Sequence, residues 1–435
     1  MKDRHAGSRP VAARRHLSSR RLSLGIALSL AVSGPAFADA VTDWNLQANQ
    51  VIGASGGPPQ QFRVFAMVHI AMHDALNAID PRFASYATLG AANPHASPDA
   101  AVARAARDVL LATLPDAQDA TVDAAYGSYI ASLPACPAAH ASCITDGTAI
   151  GASAAAAILD MRTLDGSETP HLPYTLAAGR GVYQSTMPAG QVPQFGNWGN
   201  LAPFALRSAN QFRPGRTSFP NLRGRAYTAD YNEVKAVGSF AVRDAAPESE
   251  ESRIARFWPG GGANLNGFTR TIVAGQDLDL WENARLFALV NMAVNDALIV
   301  TFRTKYRFNF WRPVTAIRWA DDGNPTTVSD PDWTPYITTP PYPDYTCGLP
   351  NTIGSATEVI RDVLGTDEVG FSVTATGLPP AVTRSFTSLS AAADESASAR
   401  VYGGIHFRTG CTAAVLLGER VGRFVYDTQL RPLAD

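Results

Sequence analysis

The sequence predicts an all-α protein of two packed helical bundles with a long loop-rich segment between them. Three observations predict it. Val64, Met67, Val68, Ala71, Ala75 and Leu76 recur at helical spacing and place a helix over Pro59–Ile79. Alanine-rich stretches at 98–114, 117–132 and 145–163 carry apolar residues three and four apart. Residues 63–76 also resemble residues 285–298, with Arg63/Arg285, Phe65/Phe287, Asp74/Asp296 and Leu76/Leu298 corresponding without gaps. The shared Arg-x-Phe-Ala and Asp-Ala-Leu argue for related bundles, against the alternative of two amphipathic helices that converged.

Residues 165–225 are rich in Pro, Gly, Asn and aromatics and lack periodicity, which predicts an ordered loop region wrapping the helices. Helices resume at 227–243, 246–256 and 278–302. The expected organisation is one domain over 39–435, with an N-terminal bundle over about 39–240 and a C-terminal bundle over about 275–435.

Residues 1–38 read as a signal peptide. A basic, glutamate-free segment precedes an apolar run from Leu22 to about Ala36, and Ala36-Phe37-Ala38 forms a cleavage site. Gly34 and Pro35 break the run, which argues against an uncleaved anchor. Ser19-Arg20-Arg21 hints at twin-arginine export. The expected location is the periplasm or the exterior, with no membrane anchor after cleavage and no further apolar run long enough to cross a bilayer. Formal net charge is −2 with no long basic block after residue 38, so nucleic acid is not an expected partner.

Four cysteines in an exported chain suggest disulfides. Cys136 and Cys143 flank a short loop and suit a local bridge; a metal site using His140 is the alternative. His69 and His73 stand one helical turn apart. No Glu forms a His-Glu-x-x-His pattern, and the second copy has Asn291 and Asn295 at these positions, so buried hydrogen-bonded residues are expected rather than a metal pair.

The chemistry concentrates after residue 300. Lys305 and Arg312 lie seven apart, on one face if the helix continues, with aromatics between them that would keep the site dry; Pro313 favours a break just there. Cations in a water-poor pocket bind an anion more strongly than exposed ones. Arg400 and His406 flank the Gly403-Gly404 pair, so both can turn toward one point, although a glycine-capped helix end with a solvated Arg would look alike. Pro350 suits the first turn of a helix running to about Leu364, whose N-terminus would attract an oxyanion.

Together these pieces resemble the superfamily of vanadium-dependent haloperoxidases and type 2 phosphatidic acid phosphatases, whose pattern is K-x6-RP, then P-S-G-H, then R-x3-G-x-H. Lys305, Arg312 and Pro313 match the first piece, and Arg400, Gly404 and His406 the third. The resemblance is strong from residue 280 onward and favours the soluble bacterial haloperoxidase-like branch.

The resemblance implies that Lys305, Arg312, Arg400 and the Gly348 backbone hold the equatorial oxygens of vanadate. His406 would bond vanadium, and hydrogen peroxide and a halide would be the substrates. A soluble phosphatase acting on a phosphate ester through phospho-His406, without a cofactor, is the runner-up. An oxyanion-binding protein without turnover is the third reading. The middle motif departs from the family: Cys347-Gly348-Leu349 stands where Ser-Gly-His is usual, so a hydroxyl donor and the acid–base histidine are missing. Losing a general acid or base costs about 10²–10⁴ in rate. Because both motifs would converge on one anion, a Cys347–Cys411 disulfide is expected, with free buried thiols as the alternative.

Overall fold

The computed structural model describes residues 39–433 except 91, 172, 187–191, 216–220 and 263; the signal-peptide segment lies outside the described residues. The compact unit is mostly helical. It opens with a helix that the periodicity reading overlooked, α1 (Ala40–Val51). Asp39 caps α1, accepting from Thr42 N while the Thr42 hydroxyl answers the Asp39 N–H.

The N-terminal half continues through α2 (Pro58–Ile79), α3 (Pro98–Thr113), α4 (Asp119–Ser132) and α5 (Cys143–Met161). A bridge between α6 (Arg225–Val237), α7 (Phe240–Asp244), α8 (Glu250–Phe257) and α9 (Leu265–Val273) leads to α10 (Leu280–Phe308). Then come α11 (Pro313–Arg318), α12 (Gly348–Leu364), α13 (Leu389–Tyr402) and α14 (Arg408–Thr428). One element departs from the all-α expectation. Strands β1 (Phe371–Ala375) and β2 (Val382–Phe386) pair antiparallel, Phe371 opposite Phe386. No helix occurs among the described residues of 165–224 beyond a single 3₁₀ turn at Trp198–Asn200, and α6 begins at Arg225.

The centre is α10, buried from Asn283 to Phe302 and packed on α2. It is long and apolar enough to cross a bilayer, as is Ala138–Met161, so the expectation of no further such run is corrected. In α10 the apolar window is wholly buried in protein, as befits a core helix. In each half a third helix reaches the second through a glycine pair four residues apart. A Cβ on Gly147 or Gly151 of α5 would come within 2.3 Å of the Ser97 or Ala101 carbonyl, at the start of α3 and within it. On Gly418 or Gly422 of α14 it would lie 2.3 or 2.5 Å from the Asn351 or Ser355 carbonyl of α12.

His69 and His73 are buried among protein partners. His69 Nδ1 lies 2.7 Å from the Phe65 carbonyl and its Nε2 2.8 Å from Asn45 Nδ2; His73 Nδ1 lies 2.9 Å from Asp74. Cys136 and Cys143 form a disulfide.

Candidate active site

Helix α10 does not carry Lys305 and Arg312 on one face as expected. It stops at Phe308, and Asn309 adopts left-handed φ of 55°, which its short polar side chain tolerates. Arg312 becomes the N-cap residue of α11. The turn nonetheless brings both cations over one ring: Lys305 Nζ is 5.2 Å and Arg312 Cζ 5.0 Å from the Tyr342 centroid.

The segment entering α12 is pinned by those cations. Lys305 Nζ donates to the carbonyls of Pro343 (3.0 Å) and Asp344 (2.7 Å). Arg312 Nε donates to the Tyr342 carbonyl (2.8 Å) and its Nη1 to the Ile405 carbonyl (2.9 Å). Cys347 is the N-cap residue of α12 but makes no side-chain cap bond. At the other wall, Arg400 lies in the last turn of α13 and Gly404, at φ 76°, folds the chain back. A Cβ at Gly404 would come within 2.1 Å of the Gly238 carbonyl, so both the turn and the close approach require glycine.

His406 is thereby placed against two partners. Its Nε2 lies 2.9 Å from Arg312 Nη1, and its Nδ1 2.8 Å from Asp344 Oδ1, an ion-pair distance without good hydrogen-bond alignment. Asp344 Oδ1 is also 3.8 Å from Arg312. The sequence places Asp344 three residues before Cys347, inside the middle motif, and offers it only as a substitute proton carrier, not as a partner of His406.

Burial sets the electrostatics. It lowers Lys305 to about 7, helped by Arg312, and raises Asp344 to about 7 against the pull of Arg312 and Lys305. Burial, then Arg312, Lys305 and Arg400, hold His406 well below its usual range, so the imidazole is neutral. Among the guanidinium donors at the site, Arg312 Nη2 and Arg400 Nε are buried without a protein partner. Lys305, Gly348, Leu349, Arg400 and His406 all line one cavity of about 470 Å³, and Arg312 lies directly behind His406. Partnerless guanidinium donors beside an uncapped helix N-terminus are what an oxyanion would satisfy.

The expected Cys347–Cys411 disulfide is corrected: both residues are buried free thiols. The motifs do converge, since Cys347 N donates to the Gly410 carbonyl (3.2 Å), and the two sulfurs and a His406 nitrogen lie within 4.8 Å of one another. Burial pushes the Cys347 thiol up, but Cys411, Arg400 and Lys305 together bring it below its usual value. Burial and Cys347 push Cys411 well up.

A family model described as the VCPO second helical-bundle domain matches residues 285–434, the stretch that holds every one of these groups. That match, with the relatives below, supports the superfamily of vanadium-dependent haloperoxidases that the motifs resemble. Vanadium chloroperoxidase of Curvularia inaequalis is 29% identical over 197 residues, 37% of this chain; the match spans 32% of that relative's length. The crystal structure of a bacterial vanadium-dependent iodoperoxidase superposes with a TM-score of 0.76 at 26% identity, covering 91% of this chain and 97% of that one. A holo-type bacterial vanadium-dependent chloroperoxidase gives 0.66 at 17% identity, over 87% and 95%, and shares the fold.

Proposed function

We propose that the chain is a haloperoxidase-like oxidoreductase that uses hydrogen peroxide to oxidise a halide at a vanadate held by His406. The observation that carries this is the pair of buried partnerless donors, Arg312 Nη2 and Arg400 Nε, beside a cavity shared by Lys305, Gly348 and His406. These residues fit a tetrahedral oxyanion. Lys305, Arg312, Arg400 and the Gly348 backbone would hold its oxygens, and His406 would bond the metal. Bound vanadate supplies a Lewis-acidic centre that activates peroxide toward halide.

The protein's own groups set the terms. Lys305 spends two N–H bonds on the carbonyls of Pro343 and Asp344, so only its protonated form keeps a third for the anion. Arg312 Nη1 occupies His406 Nε2 until an anion draws the guanidinium away, which then frees the nitrogen lone pair. The neutral state of His406 is the one that can coordinate.

Leu349, half-buried on the first turn of α12, favours a second reading in which the anion is bound with little turnover. A phosphatase working through phospho-His406, without a cofactor, would use the same donors. Vanadate and phosphate binding by the purified protein, with halide-oxidation and phosphatase assays alongside, separates the three. Halide oxidation that needs vanadate and is lost in His406→Ala supports the proposal. Phosphatase activity alone moves the chain to the other branch, binding without turnover selects the second reading, and no anion binding defeats all of them. Export to the periplasm or beyond belongs to the same proposal, and the Cys136–Cys143 bridge supports an oxidising compartment. Cell fractionation, with the N-terminal sequence of the mature protein, checks it.

A further inference from the structure

Two thiols lie beside the anion site, and the reaction proposed above uses neither. Cys347, the N-cap residue of α12, makes no side-chain cap bond, and Cys411 is the fourth residue of α14. His406 lies in the turn between α13 and α14. The bond from Cys347 N to the Gly410 carbonyl ties the two helix starts together. Both sulfurs and one ring nitrogen of His406 fall within 4.8 Å of one another, and all three residues are buried. A metal held at about 2.3 Å from sulfur and about 2.0 Å from nitrogen needs ligand atoms about 3.5–4 Å apart, which small side-chain rotations would reach.

The residue at 347 changes what the pocket prefers. Where the superfamily pattern has Ser-Gly-His, this chain has Cys347-Gly348-Leu349, so a hydroxyl donor for an oxyanion and a proton carrier are both gone. Sulfur in place of that hydroxyl is a weak hydrogen-bond donor and a soft metal ligand. Cys411 supplies a second sulfur, and the neutral imidazole of His406 completes the set.

Charge then selects the metal. Two thiolates and a neutral imidazole hold a monovalent ion as a complex with one net negative charge, and a divalent ion as a neutral complex. The charges of Arg312, Lys305 and Arg400 all act on His406, and Arg312 Nη1 is 2.9 Å from its Nε2. Such surroundings favour the negative complex. Zinc asks for a fourth ligand, whereas the cluster supplies three, and paired thiolates suit Cu(I).

We propose that Cys347, Cys411 and His406 form a three-coordinate site for a cuprous ion. Copper takes the place of one present neighbour of the ring, Arg312 at Nε2 or Asp344 at Nδ1. The site is independent of the haloperoxidase reading, since it needs neither vanadate nor peroxide.

The test uses the purified protein under exclusion of air, with Cu(I) supplied as its bicinchoninate complex. Of the four cysteines, Cys136 and Cys143 are bridged, so Cys347 and Cys411 are the only thiols. We expect each chain to withdraw a single Cu(I) from the chromophore, and X-ray absorption to show two sulfur neighbours and one nitrogen. Cys411→Ser should weaken Cu(I) binding at least about a hundredfold, and His406→Ala at least about tenfold. No uptake of Cu(I), a metal shell without both sulfurs or without nitrogen, unchanged affinity in Cys411→Ser, or displacement of Cu(I) by equimolar Zn(II) overturns the proposal. The absorption measurement is made on the unaltered chain, so it decides the matter if a variant fails to fold. Vanadate binding without Cu(I) uptake overturns the copper site and leaves the anion reading standing; Cu(I) uptake without vanadate binding does the reverse.

Discussion

Helices α2 and α10 begin alike and finish differently. In both, the aspartate of the shared Asp-Ala-Leu gathers backbone N–H groups of a distant loop. Asp74 accepts from Tyr86 (2.9 Å) and Ala87 (2.7 Å), and Asp296 from Phe204, Ala205 and Leu206 (2.7–2.9 Å). His69 and Asn291, aligned in the two copies, meet across the interface with 3.4 Å between Asn291 Nδ2 and His69 Nδ1. The alignment offset is 285 − 63 = 222, so Ile79, the end of α2, corresponds to Thr301, and α10 continues to Phe308. That extension holds Lys305. Pro81 explains the difference, because the residue before a proline is forced out of the helical region; Asp80 is extended at φ −137°. The position matching Pro81 is Arg303, which stays helical. Helix α2 therefore ends as scaffold, while the longer α10 carries Lys305 into the site.

The comparison breaks most sharply at the arginines. Arg312 is fully buried and holds two carbonyls, so Arg312→Ala leaves the Tyr342 and Ile405 oxygens and Asp344 without their cation. A loss of about 3–5 kcal/mol in stability is expected, with vanadate affinity down at least about a hundredfold. Arg63→Ala in the N-terminal copy removes a 2.7 Å contact to Asp165, which keeps Arg162 at 3.0 Å. It should cost about 1–3 kcal/mol and leave anion affinity within about twofold. Denaturant unfolding and vanadate titration read the two effects; equal loss of anion affinity in both would erase the division of labour.

The glycine pairs should behave alike in both halves, because close helix approach is what the two halves share. Gly151→Ala and Gly418→Ala each put a methyl within 2.3 Å of a carbonyl oxygen and should each cost about 1–3 kcal/mol. A thermal melt in which only one of them matters would count against a common origin for the helix pairs.

The pH dependence of anion affinity belongs to the C-terminal half. Lys305 must be protonated to offer its third N–H, and an ionised Asp344 repels the anion; both titrate at about 7. Affinity for sulfate, which does not titrate here, should fall as pH rises from 6 to 8, by up to about tenfold per group. Asp344→Asn should flatten the profile. The sign for stability is opposite in the upper range. The folded Lys305 value lies below its ordinary 10.5, so the native state binds fewer protons between about 7 and 10.5 and becomes more stable with rising pH. Lys305→Met should abolish that rise.

Much of this was legible in the sequence, for definite reasons. Helices with a clean apolar stripe, such as α2, announce themselves by spacing, and Pro350 and Gly365 marked the start and end of α12. Lys305, Gly348, Arg400 and His406 could be named as neighbours of one cavity because ordered motifs survive even where their spacing is misread. The break at Asn309 was hidden because a left-handed turn depends on a single residue and leaves no periodic trace. α1 was overlooked beside the signal-peptide segment. The β1–β2 hairpin, with ten residues in strands, was too short to stand out. Cys347 and Cys411 could be placed together by convergence of motifs, but their redox state is a matter of side-chain contact that spacing does not encode.

The smallest expected effect concerns Leu349. Its side chain is half-buried on the first turn of α12, beside Gly348, and offers no proton. Leu349→His should raise halide-oxidation rate about tenfold or more, since general acid–base catalysis contributes about 10²–10⁴ and a restored group recovers part of it. Vanadate affinity should change by less than about threefold, because Lys305, Arg312, Arg400 and His406 are untouched. The free thiols simplify the experiment, since no bridge ties Cys347 down and fixes the angle at position 349. Asp344 is the rival carrier: its carboxyl sits at about 7 and lies 2.8 Å from His406 Nδ1, a place from which a proton could reach the site through the imidazole. If Asp344 already does this, wild-type turnover will be brisk, Asp344→Asn will abolish it, and Leu349→His will add nothing. A slow wild type, insensitive to Asp344→Asn and quickened by Leu349→His, would instead show that the C-terminal copy kept its anion site and lost only the group that moves the proton.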